Sequence, residues 1–365
     1  MTLQERWDSR VPPWLEALLI GIASRAFATA VLVTATLVPI PPPNGPVWEN
    51  PFMMWDAAWY SWVARMGYHD YAVAHTAFGP GYYDFAFFPA WPIVLRIAVT
   101  LTGQAVGVIG PILAAAIFIA ATVPIYRVLE RVGGRGYARF GTLLFAFSPA
   151  AYIYSEAYSE PLFLLFAGLF FLSPGYVRPA IFGALAMFSR LSGAALAVAS
   201  LPDLLKAETR RRGLATLAWT VGAFAIWWLW IANLTHNIAG YMLGSPSWYA
   251  NDSPTGTRTG IVSILNAPQW MVWITIILLV ALAIGTAALF RKGEPRLAMF
   301  SLAAIASAFL VTSNTMPRLA AVAFPAFAAF GALLPSDRWR WLLVGLSAAA
   351  EAILGAMAVA RVIVP

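Results

Sequence analysis

The side chains best suited to chemistry are a few acids and arginines set among apolar residues. Asp56 lies in Trp55-Asp56-Ala57-Ala58-Trp59-Tyr60. Apolar neighbours strip water from a carboxylate and fit it to accept a proton. An ordinary aspartate is ionised at neutral pH, so it enters a reaction as a base rather than an acid. Aspartate is also a favoured helix N-cap, and capping a helix over 57–66 is the competing role. Glu156 and Glu160 stand four apart in Tyr154-Ser155-Glu156-Ala157-Tyr158-Ser159-Glu160-Pro161. On a helix they share a face and bind sugar hydroxyls; in a tight turn they are solvated. Arg190, in Ser189-Arg190-Leu191-Ser192-Gly193, interrupts an apolar stretch. Such a charge costs several kcal/mol inside a membrane unless a cavity, partner or anion receives it. A lipid phosphate gripped bidentately and an ion pair with an acid such as Glu160 fit equally. Arg258 and Arg318 are further cations, for which solvated loop positions compete with ligand contact.

Other chemistries lack their residues. The chain has no cysteine, which removes disulfides, thiolate metal sites and cysteine nucleophiles together. His69, His75 and His236 share no metal-ligand spacing, and H-E-x-x-H, P-loop, G-x-G-x-x-G and G-x-S-x-G patterns are absent. No metal or other cofactor is therefore expected, nor is nucleotide or serine-hydrolase chemistry.

The elements that must position these residues are membrane helices. Of 365 residues, 61% are hydrophobic and 11% charged, with mean hydropathy +0.73, against roughly 25% charged in a soluble domain. The net charge of +7 would suggest nucleic acid in a soluble protein; here it sits in short loops and is a topological signal, so no nucleic-acid partner is expected. The first apolar run, 15–38, contains Arg25 and ends in prolines, which reads as a signal anchor rather than a cleaved peptide. Further spans are expected at 105–126, 138–152, 161–172, 214–233, 268–290, 297–312, 319–334 and 339–360. Segment 87–103 is too short and proline-broken to cross, and 177–206 is too long to cross once. The basic loops 127–139, 206–212, 291–296 and 338–340 fall on one side only if 87–103 stays outside and 177–206 crosses twice, turning at Ser189–Gly193. That side then carries 16 of the 23 Lys and Arg residues, as the positive-inside rule requires of a cytoplasmic face. The expected organisation is a single integral membrane domain, 1–365. It has a first span (1–38), an extracytoplasmic loop with surface helices (39–104), a central helix set (105–234), a second outer loop (235–267) and C-terminal helices (268–365). In all this gives about eleven spans.

Three ordered stretches carry a resemblance: Trp55-Asp56-Ala57-Ala58-Trp59-Tyr60 with Ala64-Arg65-Met66-Gly67-Tyr68; Phe87-Phe88-Pro89-Ala90-Trp91-Pro92; and Ser148-Pro149-Ala150, Tyr158-Ser159-Glu160-Pro161 and Ser189-Arg190-Leu191-Ser192-Gly193. Together, over roughly residues 50–205, they resemble the PIG-V family, the mannosyltransferases that add the second mannose of GPI anchors, and its prokaryotic relatives. The family's usual Thr-Arg stands here as Ser189-Arg190. The resemblance implies an all-α polytopic protein of the GT-C glycosyltransferase fold, with the loop aspartate at Asp56. It implies inverting transfer of a sugar, mannose first, from a polyprenyl-phosphate donor to a hydroxyl of a lipid or glycan acceptor. Within it Asp56 is the general base, and Arg190, Arg258 and Arg318 are the donor-phosphate ligands. Glu160, Glu156, Trp55, Trp59, Tyr60 and His69 face sugar and acceptor. The expected setting is the plasma membrane, with a cytoplasmic N-terminus, an extracytoplasmic site and membrane lipids as neighbours. A transporter or flippase of lipid-linked sugars is the competing class.

Overall fold

The computed structural model describes residues 10–37, 50–69, 84–241, 269–309 and 315–363. The described residues are helical throughout, with three short 3-10 turns. Five helices are long and apolar enough to cross a membrane: α1 (Pro13–Leu37), α4 (Val106–Ala146), α9 (Ala207–Leu234), α10 (Gln269–Arg291) and α14 (Asp337–Val359). Between them lie α2 (Asp56–Met66), α3 (Ala90–Thr102), α5 (Glu160–Leu172), α6 (Val177–Ser189), α7 (Ala194–Ala199), α8 (Leu201–Leu204), α11 (Pro295–Ala308), α12 (Met316–Ala321) and α13 (Phe324–Ala332). α4 is the hub and packs against α1, α5 and α13.

Two expected boundaries change. The spans 105–126 and 138–152 correspond to two limbs of α4 that meet at a sharp kink, and the basic segment between them extends those limbs on either side of Gly134 instead of forming a long loop. Gly134 (φ 78°, ψ −177°) makes the turn inside it, a left-handed conformation that glycine adopts without a Cβ clash. The span 319–334 is instead two short helices, each with a proline in its first turn, where the missing N–H costs nothing. The segment 177–206 breaks as expected: Arg190 is extended (φ −173°, ψ 161°) between α6 and the 3-10 turn Leu191–Gly193. Helices α2 and α3 occupy the described part of the first expected outer loop. Arg96 of α3 clamps the end of α2 by donating to Ala64 O at 2.6 Å and Arg65 O at 3.0 Å.

The basic segments do gather at one end of the bundle. Glu16 binds Arg135 (2.8 Å) and Arg139, and Asp203 binds Arg212 (2.7 Å) and Arg296 (3.3 Å). Lys292 lies 4.8 Å from the Tyr137 ring centre, and Arg340 lies 5.6 Å from that of Phe140. The grouping derived from charge parity is thus a physical grouping.

From that end the second limb of α4 (135–146), α5 and α6 each rise only about 20 Å, short of a bilayer core of roughly 30 Å. The connection from α4 to α5 is therefore recessed. Arg25, in the middle of α1, reaches it directly, donating to Ala146 O (3.1 Å), Ala151 O (2.7 Å) and Ser155 Oγ (3.0 Å). Non-helical backbone at membrane depth must find its partners within the protein. Beyond those Arg25 bonds, Trp91 Nε1 donates to Ala157 O at 2.7 Å, and Ala157 N donates to Phe52 O at 3.1 Å.

Candidate active site

The recessed connection, α2, α6 and α12 converge on one ionic chain. Asp56 is the first residue of α2, inside the helix, and the N-cap position is held by Trp55, so the capping role expected as its alternative is not the one it plays. The residue before it, Trp55, holds φ 45°. For a bulky residue this conformation stores on the order of 1–3 kcal/mol, and it sets the start of α2. Asp56 Oδ2 lies 2.6 Å from Arg318 Nη1. Arg318 Nε donates to Glu160 Oε1, and Arg190 Nη1 pairs with the same oxygen. The order is Asp56, Arg318, Glu160, Arg190: alternating charges, two of each sign. Glu160 opens α5, where the positive end of the helix dipole favours a carboxylate. The Arg318 guanidinium also stands 4.4 Å over the Tyr158 ring.

Burial separates the members. Glu160 is fully enclosed, and Arg190 and Arg318 are nearly so, whereas the Asp56 side chain is 23% exposed. Asp56 is the end of the chain that solvent reaches. Arg190 keeps a buried Nε with no hydrogen-bond partner among the described residues, a donor available to an anion.

Glu156 completes the setting differently. It is fully buried, and both carboxylate oxygens lack a partner among the described residues. Burial, only partly offset by the Arg318 guanidinium, pushes its carboxyl well above the usual carboxylate range. The solvated-turn reading fails for both glutamates. Nor do they share a helical face: Glu156 is extended (φ −91°, ψ 164°), after a 3-10 turn. Arg318 is likewise no solvated loop residue. Of the two readings of Arg190, the ion pair with Glu160 is formed. Arg258 lies outside the described residues.

The aromatic candidates divide. Tyr60, one helical turn after Asp56, shares a 2.7 Å hydrogen bond with Ser159 Oγ and ties α2 to the connection. Trp59 stacks on Phe87 at 5.6 Å. His69 belongs to a separate pair. Its Nδ1 lies 2.7 Å from Asp84 Oδ2, and its backbone N–H donates to the same oxygen at 3.0 Å. Burial raises the Asp84 carboxyl, and the His69 bonds counter that. Sequence reasoning missed Arg25 as the clamp of the connection. Its signal was present as a charge in the middle of the first span.

No curated protein sequence matches the chain. Its fold is similar to that of the Archaeoglobus fulgidus oligosaccharyltransferase tethered to an acceptor peptide containing the NVT sequon. The TM-score is 0.54 at 13% identity, over 94% of this chain and 55% of that one. The apo form of that enzyme gives a TM-score of 0.48 at 12% identity, over 94% and 56%. The chain thus spans about half the length of these structures. The likeness is one of fold, the GT-C arrangement. Asp56, Glu156 and Glu160 fall inside the segment that a sequence-family model recognises, and Arg190 and Arg318 fall beyond it. That model is Mannosyltransferase (PIG-V), so over residues 44–180 the chain is similar in sequence to this glycosyltransferase family, on a membrane-helix fold similar to the GT-C arrangement.

Proposed function

We propose that the protein transfers a sugar, mannose by its family, from a polyprenyl-phosphate donor to a hydroxyl of a lipid or glycan acceptor, with Asp56 as general base. The observation that carries this reading is the ionic chain, in which one solvent-reachable carboxylate is joined to two buried guanidiniums. The acceptor hydroxyl attacks the anomeric carbon from the face opposite the phosphate. The carbon–oxygen bond to phosphate breaks as the new glycosidic bond forms, with inversion, and the hydroxyl proton passes to Asp56. Negative charge grows on the departing phosphate oxygen, where fixed cations are most effective. Arg190 and Arg318 are positioned for that role. A donor phosphate competes with Asp56 for Arg318, so donor binding releases the carboxylate towards the acceptor. The buried, proton-bearing Glu156 is a hydrogen-bond donor to sugar oxygens, and Trp55, Trp59 and Tyr60 cover the sugar. The basic end of the bundle faces the cytoplasm, and the site opens on the opposite side.

The test is a transfer assay with polyprenyl-phosphate-mannose and membrane lipid acceptors. Asp56→Asn is expected to lower turnover by about 10²–10⁴-fold with the fold intact, and near wild-type turnover would remove Asp56 from the role of base. For Arg190→Ala, an unchanged donor KM and an unchanged kcat would together remove it from the phosphate site. Movement of lipid-linked sugar across a bilayer with no glycosidic bond formed would favour a flippase instead.

A further inference from the structure

A second polar site lies at the other end of the bundle, away from the ionic chain. A cavity of about 280 Å³ opens beside the bend of α4, lined by Gly133, Gly136, Tyr137, Phe140, Lys292 and Arg340, with Ala328 and Ala332 of α13 as its apolar wall. It is near the small end of the range of ligand pockets, roughly 300–1,000 Å³, and larger than a bare ion needs.

Its polar groups are donors left over from the fold. Lys292 has no carboxylate in ion-pair distance among the described residues, and its ammonium sits over the Tyr137 ring. Tyr137 Oη is buried and lacks a hydrogen-bond partner among the described residues. Arg340 donates through Nη1 to Asp337 (2.9 Å) and through Nη2 to Leu334 O (3.2 Å), while its buried Nε is unpartnered among the described residues. Glu294 follows Lys292 by two residues and is the other acid of this region. Two cations and a hydroxyl meet two acids, Asp337 bound to Arg340 and Glu294 near enough to act on Lys292 and Tyr137, which still leaves Tyr137 Oη and Arg340 Nε without acceptors among the described residues. Buried donors without acceptors are costly, and an anion with several acceptor oxygens satisfies Tyr137 Oη and Arg340 Nε while pairing with the exposed Lys292 ammonium.

The backbone is shaped for the cavity. A Cβ on Gly133 would meet the Tyr137 ring at 2.6 Å, so that ring lies flat on the glycine, and Gly134 makes the bend at φ 78°. A Cβ on Gly136 would meet nothing within 4 Å, because it would point into the open space.

We propose that this cavity binds a phosphate-bearing anion, held by Lys292, Arg340 and Tyr137 Oη. Lipid headgroups and free phosphate esters share that chemistry. The apolar wall of Ala328, Ala332 and Phe140 suits the glycerol and first methylenes of a headgroup. The site is independent of the transfer reaction proposed above.

The test uses the full chain, purified in a neutral detergent. Phosphatidylglycerol, phosphatidylcholine and inorganic phosphate are titrated separately, read by thermal unfolding and by native mass spectrometry. Phosphatidylglycerol is expected to stabilise the wild type and to stay bound as one retained lipid. The same response to inorganic phosphate alone assigns the site to a soluble phosphate and keeps the chemistry. Gly136→Leu fills the cavity from a helical position where leucine is the better helix former, and it is expected to lose the retained species at an unliganded Tm no lower than wild type. The pair Lys292→Ala and Arg340→Ala is expected to weaken binding about tenfold or more. No response to either anion, or undiminished binding in both Gly136→Leu and the double alanine variant, overturns the proposal.

Discussion

Two buried arginines serve the same recessed connection in opposite ways. Arg25 spends its guanidinium on scaffold: two backbone carbonyls, the Ser155 hydroxyl, and Glu351 at 3.8 Å. Arg318 is comparably enclosed, yet it binds two side-chain carboxylates, Glu160 and the partly exposed Asp56. Phe118 and Tyr154 stack on each other at 4.6 Å beside Arg25, their ring centres 4.5 and 5.5 Å from its guanidinium carbon, whereas the ring under Arg318 belongs to Tyr158, next to Glu160 in the connection. Burying a charge is expensive in both places. At Arg25 the return is a fixed backbone; at Arg318 it is a cation one hydrogen bond from solvent.

Removing Arg25 should therefore produce the largest change in stability. Arg25→Ala strands two buried carbonyls and leaves Glu351 without its cation, a loss of about 3–5 kcal/mol that thermal unfolding in detergent will show. Adding Glu351→Gln should recover part of it, because the uncompensated carboxylate is then gone. Asp56→Asn, at the partly exposed end of the other cluster, should leave Tm nearly unchanged while transfer collapses. If Arg25→Ala unfolds no more easily than Asp56→Asn, the division between scaffold arginine and site arginine is wrong.

The next effect is a slope with pH rather than a step. Glu156 holds its proton more tightly folded than unfolded, because burial disfavours its anion. Below the unfolded carboxylate pKa, about 4.3, both states are protonated and the contribution to stability is complete. As pH rises beyond that, the unfolded chain releases the proton while the folded one retains it, so stability falls. Glu156→Gln should match the wild type near pH 4 and fall less steeply in Tm between pH 5 and 8. Parallel Tm curves for the two proteins would mean that Glu156 is ionised in the fold.

Much of this was legible before any coordinates. Charge parity placed the break of 177–206 at Arg190, where the chain is extended, because it follows from counting cations along one dimension. The resemblance singled out Asp56, Glu160 and Arg190, and these do converge. Arg318 was legible as a cation but not as the centre of the cluster. Its partners lie 158 and 262 residues away in sequence, and periodicity carries no information over such separations. The depth of the connection was hidden for a related reason. A 13-residue apolar stretch reads as a span, and only the bonds of Arg25, in the middle of α1, to the connection that precedes it show how deep its start lies. Gly134 stands in Gly133-Gly134-Arg135-Gly136, and nothing local distinguishes a loop there from a sharp kink between two helical limbs.

The smallest predicted effect tests how the exposed end of the ionic chain is aimed. Asp56 and Tyr60 stand one turn apart on α2, and Tyr60 is tied to Ser159, the residue before Glu160. The bond therefore fixes the two carboxylate-bearing segments relative to each other. Tyr60→Phe and Ser159→Ala should each cost about 1 kcal/mol, and the double variant should cost less than their sum, because either change alone breaks the bond. A purely structural tie would lower Tm and leave kcat alone. A tie that aims Asp56 should also lower kcat a few-fold in each single variant at unchanged donor KM, since Arg190 and Arg318, the proposed phosphate ligands, stay in place while the proposed base drifts from the acceptor. A loss in donor KM instead would show that α2 shapes the phosphate end, and the contrast between an anchored pair of cations and a mobile carboxylate would have to be reversed.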